Sequence, residues 1–394
     1  MLWNGEVRVR GEIDGRDFNN KTPPNAFGLL RARIGADVMP VEKAHLVFQL
    51  QGARVFGRQS LPGDVLSANL ASSAFDLYQG YLKLSDFFID GVTATAGRME
   101  VSFGNERIMG ASDWNNTGRS LDGVRLTYQW AGQSVDVFFM NILETQLPPD
   151  VVTPFSVTAR PEEGQSVSGF YASLRPVQGL RMDAYLLREW VQHQTDPGSD
   201  DLSRFTGGTY LKGPSGAMDY EGEFAYQFGT RIGNDISAFM LTGAAGYSFS
   251  GFPLSSVTIG YEYLSGTSLS DRQYRTFEHV YQTSHKFYGF MEYFQVPPEN
   301  TYGRGLQDAL LRVTFKPEER VSATLWAHAF WLAQPVIGLW SLGQEIDIVG
   351  TYDYNDHVTL EFGASGFLPG DLMRIRFNGN DVAWWGYCST RIWF

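Results

Sequence analysis

The segment GEVRVRGEID at residues 5 to 14 puts Val7, Val9 and Ile13 on one side of an extended chain. Glu6, Arg8, Arg10, Glu12 and Asp14 fall on the other, because successive strand side chains point to opposite faces. The same alternation recurs in GLLRARIGAD (28 to 37), YEGEFAYQF (220 to 228), SVTIGYEYL (256 to 264) and HVTLEFGAS (357 to 365). Each run is about ten residues, the length a strand needs to cross a bilayer. A soluble sandwich or propeller has no core that accepts a charged face on most of its strands. A barrel can turn that face toward its interior and the apolar face toward lipid.

The connections alternate in length. Short turns fall at MPVEK (39 to 43), WAGQS (130 to 134), RPVQG (175 to 179), GPSG (213 to 216), GFPLSS (251 to 256), KPEER (316 to 320) and YNDH (354 to 357). Longer stretches lie between them at 57 to 74, 104 to 120, 147 to 163, 194 to 203, 267 to 305 and 369 to 380. Short turns on one side and long loops on the other are the organisation of an outer-membrane barrel. The breaks divide the chain into about eighteen strands, an even number that leaves both termini on the short-turn side. The expectation is an all-β chain, residues 1 to 394 forming one antiparallel transmembrane barrel with short periplasmic turns and long extracellular loops.

The amino terminus, MLWNGEVRVRGE, has no positively charged and then apolar leader, so the chain reads as one whose leader has been removed. The carboxyl end, DVAWWGYCSTRIWF, sets Val382, Trp384 and Ile392 at even spacing from a terminal Phe394, which resembles the assembly signal of bacterial outer-membrane proteins. A bacterial outer-membrane location follows. Aromatic residues make up 14% of the chain and glycines number 43, a mixture that favours strands and tight turns.

Composition also excludes functions. A net charge of -12 argues against nucleic-acid binding, which draws on excess Lys and Arg. The single cysteine, Cys388, permits no internal disulfide and no cysteine-based zinc site. The six histidines show no nucleophile or metal spacing, and the adjacent pairs Glu162-Glu163 and Glu318-Glu319 read as solvated charge. Neither an enzyme nor a cofactor or metal is expected.

About eighteen strands leave a channel that side chains alone do not fill. By alternation its wall collects Arg8, Arg10, Arg31, Arg33, Arg98, Arg125, Arg312 and Arg391 together with acids that include Glu6, Glu12, Glu100, Glu223, Glu262, Asp308, Glu345, Asp347 and Glu361. Guanidinium groups hold carboxylates through paired hydrogen bonds, and rings of arginine select anions. The same arginines also make ordinary cross-strand ion pairs that brace a wall. Residues 267 to 305 are rich in aromatics, fitting a loop that enters the barrel or covers its mouth.

Three blocks carry a family resemblance. GRMEVSFGNERIMGASDWNNTGRSLDGVRLTY (97 to 128), FEHVYQTSHKFYGFMEYF (277 to 294) and LGQEIDIVGTYDYNDHVTLEFGASGFLPGD (342 to 371) resemble signature regions of the alginate export family of outer-membrane barrels. The resemblance implies a monomeric eighteen-stranded barrel whose arginine-rich pore exports alginate, a polyuronate. A porin for small anionic solutes is the alternative, because this chain is shorter and its wall holds as many acids as arginines. Expected partners are outer-membrane lipid, the anionic polysaccharide or small anion, and periplasmic export components. Arg54, Arg98, Arg107, Arg119 and Arg125 are the motif arginines placed closest to the pathway. Arg8, Arg31, Arg33, Arg312 and Arg391 join them from alternation, with Glu100, Asp122, Glu345 and Asp347 as the acids that hold them. Trp114, Asn115 and Asn116 fit either sugar contacts or a packed loop. Residues 103 to 125 read as a strand top, an extracellular loop, and the start of the next strand.

Overall fold

The computed structural model describes residues 1–57, 73–142, 164–192, 202–250 and 253–394. Eighteen antiparallel strands form one closed sheet in chain order. Closure joins β1 (Leu2–Gly15) to both β2 (Asn25–Val41) and β18 (Ala383–Trp393). The register across the seam pairs Arg8 with Arg391 on one side and with Arg31 on the other. Near the terminus-side rim, Gly5 and Phe394 exchange backbone hydrogen bonds of 3.1 Å, so the last residue is stitched into the wall.

Burial follows the alternation. Along β1, Glu6, Arg8, Arg10 and Glu12 are buried inside while Val7, Val9 and Ile13 are exposed on the outer wall. Exposed aromatics gather near both rims: Trp3, Tyr128, Tyr220, Tyr247 and Tyr352 toward the terminus side, and Phe56, Phe228, Trp340 and Trp384 toward the far side. Such girdles mark the two water interfaces of an outer-membrane barrel, where an aromatic ring has one apolar and one wet environment.

The loop asymmetry has two exceptions. On the far side, β11 (Met218–Arg231) joins β12 (Asn234–Ser248) through Ile232-Gly233, and β15 (Val321–Val336) joins β16 (Leu339–Asn355) through Ile337-Gly338. All four turn residues have positive φ, from 49° to 76°, the requirement of the two-residue turn that matches strand twist. Isoleucine ahead of glycine gives no turn signal, so neither was legible. The expected loops at 57 to 74, 147 to 163 and 194 to 203 lie largely outside the described residues, as do Glu162, Glu163 and His193.

The far-side half of the barrel is filled. The segments joining β5 (Val92–Met99) to β6 (Leu121–Trp130), and β13 (Leu254–Leu264) to β14 (Leu306–Glu318), fold inward. They pair with each other through the parallel bridge Met109–Tyr281. Backbone bonds of 2.8 Å run from Gly110 to the Tyr281 carbonyl and from Tyr281 to the Ile108 carbonyl. Phe103, Ile108 and Met109 of the first loop and Phe277, Tyr288, Met291, Tyr293 and Phe294 of the second form an apolar cluster with inward residues of the wall. Residues 121 to 125 do begin the next strand, but the expected strand top ends earlier, at Met99, and the expected extracellular loop is corrected: the segment between β5 and β6 turns into the interior. Burying its apolar side chains there contributes roughly 25 cal/mol per Å² of surface removed from water.

Candidate functional site: an arginine row under an inward loop

Three arginines stand at one height on adjacent strands, Arg391, Arg8 and Arg31, with Arg33 and Arg10 one step away on the same face. Like charges directly opposite each other on a sheet repel, so the row exists only because anionic and dipolar groups are set between its members. Glu6 supplies the first: its Oε1 accepts from Arg31 Nε at 2.9 Å and its Oε2 from Arg391 Nε at 2.7 Å. The tip of the first inward loop supplies the rest.

Asp113 Oδ1 accepts from Arg31 and Arg33, each at 2.9 Å, and its Oδ2 lies 3.2 Å from Arg391. Backbone carbonyls of the tip also accept. The Asp113 carbonyl takes Arg8 at 2.6 Å and Arg31 at 2.8 Å, the Trp114 carbonyl takes Arg10 at 2.9 Å, and the Asn115 carbonyl takes Arg8 at 2.8 Å. Burial alone would raise the Asp113 pKa, but Arg31, Arg33, Arg391 and Arg8 outweigh it and hold it down at about 2. Positive φ at Ser112 (50°) and Gly118 (68°) turns the chain at both ends of this tip.

Trp114 is closed to stacking partners from outside. Arg10 lies 3.8 Å over its ring centroid and His285 of the second loop stacks at 3.6 Å with rings 2° from parallel. Of the two readings left open for this residue, the structure supports the packed loop. Asn116 is fully buried. His285 is itself held by Glu292 at 2.9 Å. Beside the tip, toward the terminus side, Arg8, Asp113, Trp114, Glu361, Arg391 and Trp393 line a cavity of 470 Å³.

The remaining arginines divide by face. Arg107 crosses from the loop to β13, where Glu262 accepts two bonds of 2.7 and 2.6 Å, and its guanidinium lies 3.9 Å over Phe287. Burial would lower the Arg107 pKa, but Glu262, Tyr288 and Glu223 raise it above the ordinary arginine value. Arg119 donates to the Gly110, Tyr281 and Gln282 carbonyls, binding the two loops together, and burial lowers its pKa. Arg125 points inward to Asp136 at 2.7 Å. Arg312 is inward and donates to Thr258 at 3.3 Å.

Two motif arginines are not on the inner face. Arg98 pairs with Asp122 at 2.7 Å on the outer face, the side of exposed Leu82, Val124 and Leu126. Its neighbour Met99 faces in, because the far-side interior is packed with apolar loop residues and the inside-polar rule inverts there. Arg54 likewise faces out while Ala53 is buried, and it donates to the Ser73 carbonyl at 2.6 Å. Among the acids, Glu100 accepts from the Tyr78 hydroxyl and lies 3.9 Å from Arg33. Glu345 and Asp347 are buried inward, yet among the described residues neither pairs with an arginine. Glu345 instead accepts the Met291 N–H at 2.7 Å, anchoring the second loop. Asp113, the acid that organises the row, was missed because a loop has no period to reveal it; its adjacency to a tryptophan between two turns was the available signal.

A closed barrel of eighteen strands with rim aromatics and a polar inner face is an outer-membrane channel. Solved structures similar to it agree in fold, among them OccAB1 of Acinetobacter baumannii (TM-score 0.64, 12% identity, covering 100% of this chain and 97% of that one) and OccK11 (OpdR) of Pseudomonas aeruginosa (0.61, 11%, 100% and 96%). OpdK of Pseudomonas aeruginosa, solved with vanillate, is similar (0.60, 10%, 100% and 98%). No curated protein matches in sequence. The alginate export family model matches residues 3–336, and the chain belongs to that family. Family and fold are those of a channel rather than an enzyme, and its location is the bacterial outer membrane.

Proposed function

We propose that the channel passes a carboxylated anionic solute, with export of an alginate-like polysaccharide as the leading reading, and that it works as a monomer with periplasmic export components delivering the polymer. The observation that carries the reading is the row Arg391–Arg8–Arg31, which gathers guanidinium groups beside a cavity despite their mutual repulsion. A wall braced only by ion pairs would alternate charge along that row. Family membership supports the polyuronate.

A second reading, a porin for small carboxylates, is favoured by the cavity volume of 470 Å³, within the range of about 300–1,000 Å³ common for small-molecule sites. The vanillate named with OpdK, a small carboxylate, points the same way. Planar-bilayer recordings in a salt gradient test the shared claim: a reversal potential on the anion side is expected, and cation preference would overturn it. Block by oligomeric uronate at concentrations where monomeric glucuronate has no effect favours the polymer; the reverse favours the small anion.

A further inference from the structure

We propose that Asp113 is a tethered carboxylate occupying the place on the arginine row where a solute's carboxylate binds, and that a carboxylated solute entering the cavity displaces it. The inference rests on the anionic-solute reading above and adds what holds the row in the absence of solute.

Four observations lead here. First, the Asp113 carboxylate is bonded as a visiting anion would be, with one oxygen shared by Arg31 and Arg33 at 2.9 Å and the other 3.2 Å from Arg391. Second, it is reachable: its side chain is 36% exposed while those of Arg31 and Arg33, which share its other oxygen, are 0% and 6%. Third, the loop tip does not depend on it. Arg8, Arg10 and Arg31 donate to the carbonyls of Asp113, Trp114 and Asn115, and Trp114 is clamped between Arg10 and His285, so the side chain can rotate away with the backbone in place. Fourth, Arg8 reaches the cavity wall with no carboxylate in ion-pair contact among the described residues, and Arg391 beside it is 44% exposed.

A solute carboxylate therefore meets Arg391 first, with Arg8 behind it in the cavity wall. As it takes the bonds Asp113 made to Arg391 and then Arg31, the Asp113 carboxylate passes to the cavity and is hydrated there. One anion replaces another on the row, so the guanidinium groups are never left facing each other without a counter-charge. Competition by an attached group also weakens net binding, which suits a channel, since a site that bound tightly would hold its solute rather than pass it. The apparent affinity falls by the fraction of time the row is free.

The test uses the full-length barrel in planar bilayers with glucuronate as the probe, its apparent affinity read from block of the chloride current. If Asp113 fills the row about nine-tenths of the time, Asp113→Asn tightens glucuronate binding by about tenfold. Glu361→Gln removes the same charge from the same cavity without emptying the row, and is expected to tighten it by less than about twofold, an effect of field alone. Equal tightening by the two variants, or none from Asp113→Asn, overturns the proposal. Should Asp113→Asn fail to give the heat-dependent gel shift of a folded barrel, Asp113→Glu serves: a longer tethered carboxylate keeps the affinity within about twofold of the parent, and a tenfold gain refutes competition. A cation-selective parent channel would sink the anionic-solute reading itself. An anion-selective parent with an unresponsive Asp113→Asn would sink only this inference.

Discussion

Arg107→Met separates a latch from a spacer. The parent guanidinium gives two bonds to Glu262 at 2.7 and 2.6 Å, donates to the Tyr288 hydroxyl at 3.0 Å and packs on Phe287, all in a buried setting. Methionine keeps the apolar stem but leaves the Glu262 carboxylate buried without its cation, which costs about 3–5 kcal/mol. Adding Glu262→Gln removes the stranded charge, and the double variant is expected to lose only about 1–2 kcal/mol, the worth of the missing hydrogen bonds. The double variant is then about 2–3 kcal/mol more stable than Arg107→Met alone, whereas two independent positions would add their costs to within roughly 0.5 kcal/mol. Urea titration of the barrel in detergent micelles, followed by the mobility of unboiled samples, gives the four free energies of the cycle. A double variant no more stable than Arg107→Met alone would refute the idea that this pair ties the first loop across the interior.

Asp113 sets a pH expectation. Its native pKa of about 2 lies below its ordinary 3.8, so its stabilising contribution is complete above the ordinary value and disappears as pH falls through the native one. Single-channel conductance should therefore show no Asp113 step down to about pH 4, and a step near pH 5 lost in Asp113→Asn would contradict it. Gly289→Ala places a methyl 2.5 Å from Glu345 Oε2 at a residue with φ of +84°, so the second loop must shift off its anchor; a lower unfolding temperature for the unboiled band is expected, by roughly 1–3 kcal/mol of stability. Ile259 is 64% exposed at the middle of β13 on the outer wall, and Ile259→Arg should cost about 2–4 kcal/mol in equilibrium folding into lipid vesicles. A neutral result there would place that face away from lipid.

The wall was legible where its inner face is polar, beside the cavity. Arg8, Arg31, Arg33 and Arg391 follow from alternation alone, since β1, β2 and β18 face the cavity and the loop tip with charged groups. Alternation failed for Arg98 and Arg54 near the far-side rim, where Met99 points inward to meet loop residues that no strand pattern announces. The site itself was half hidden for the same reason. Arg8 and the Asp113 carbonyl meet across 105 positions of sequence, and nothing local to either residue records that contact. The buried acids Glu345 and Asp347 were assigned to arginines because their charge suggested it, whereas packing gave Glu345 a backbone N–H of the second loop.

The arginine row also dates itself in the life of the molecule. Arg391 and Glu6 are 385 positions apart, and they become neighbours only when the last strand meets the first. Contacts of such separation form late, because the chain between them must first be ordered. Until that seam closes, Asp113 lacks Arg391, and the loop tip has no finished seat. The channel's recognition surface is thus also a record of completed assembly: a barrel that stalls before closure carries the residues of the site but not the site.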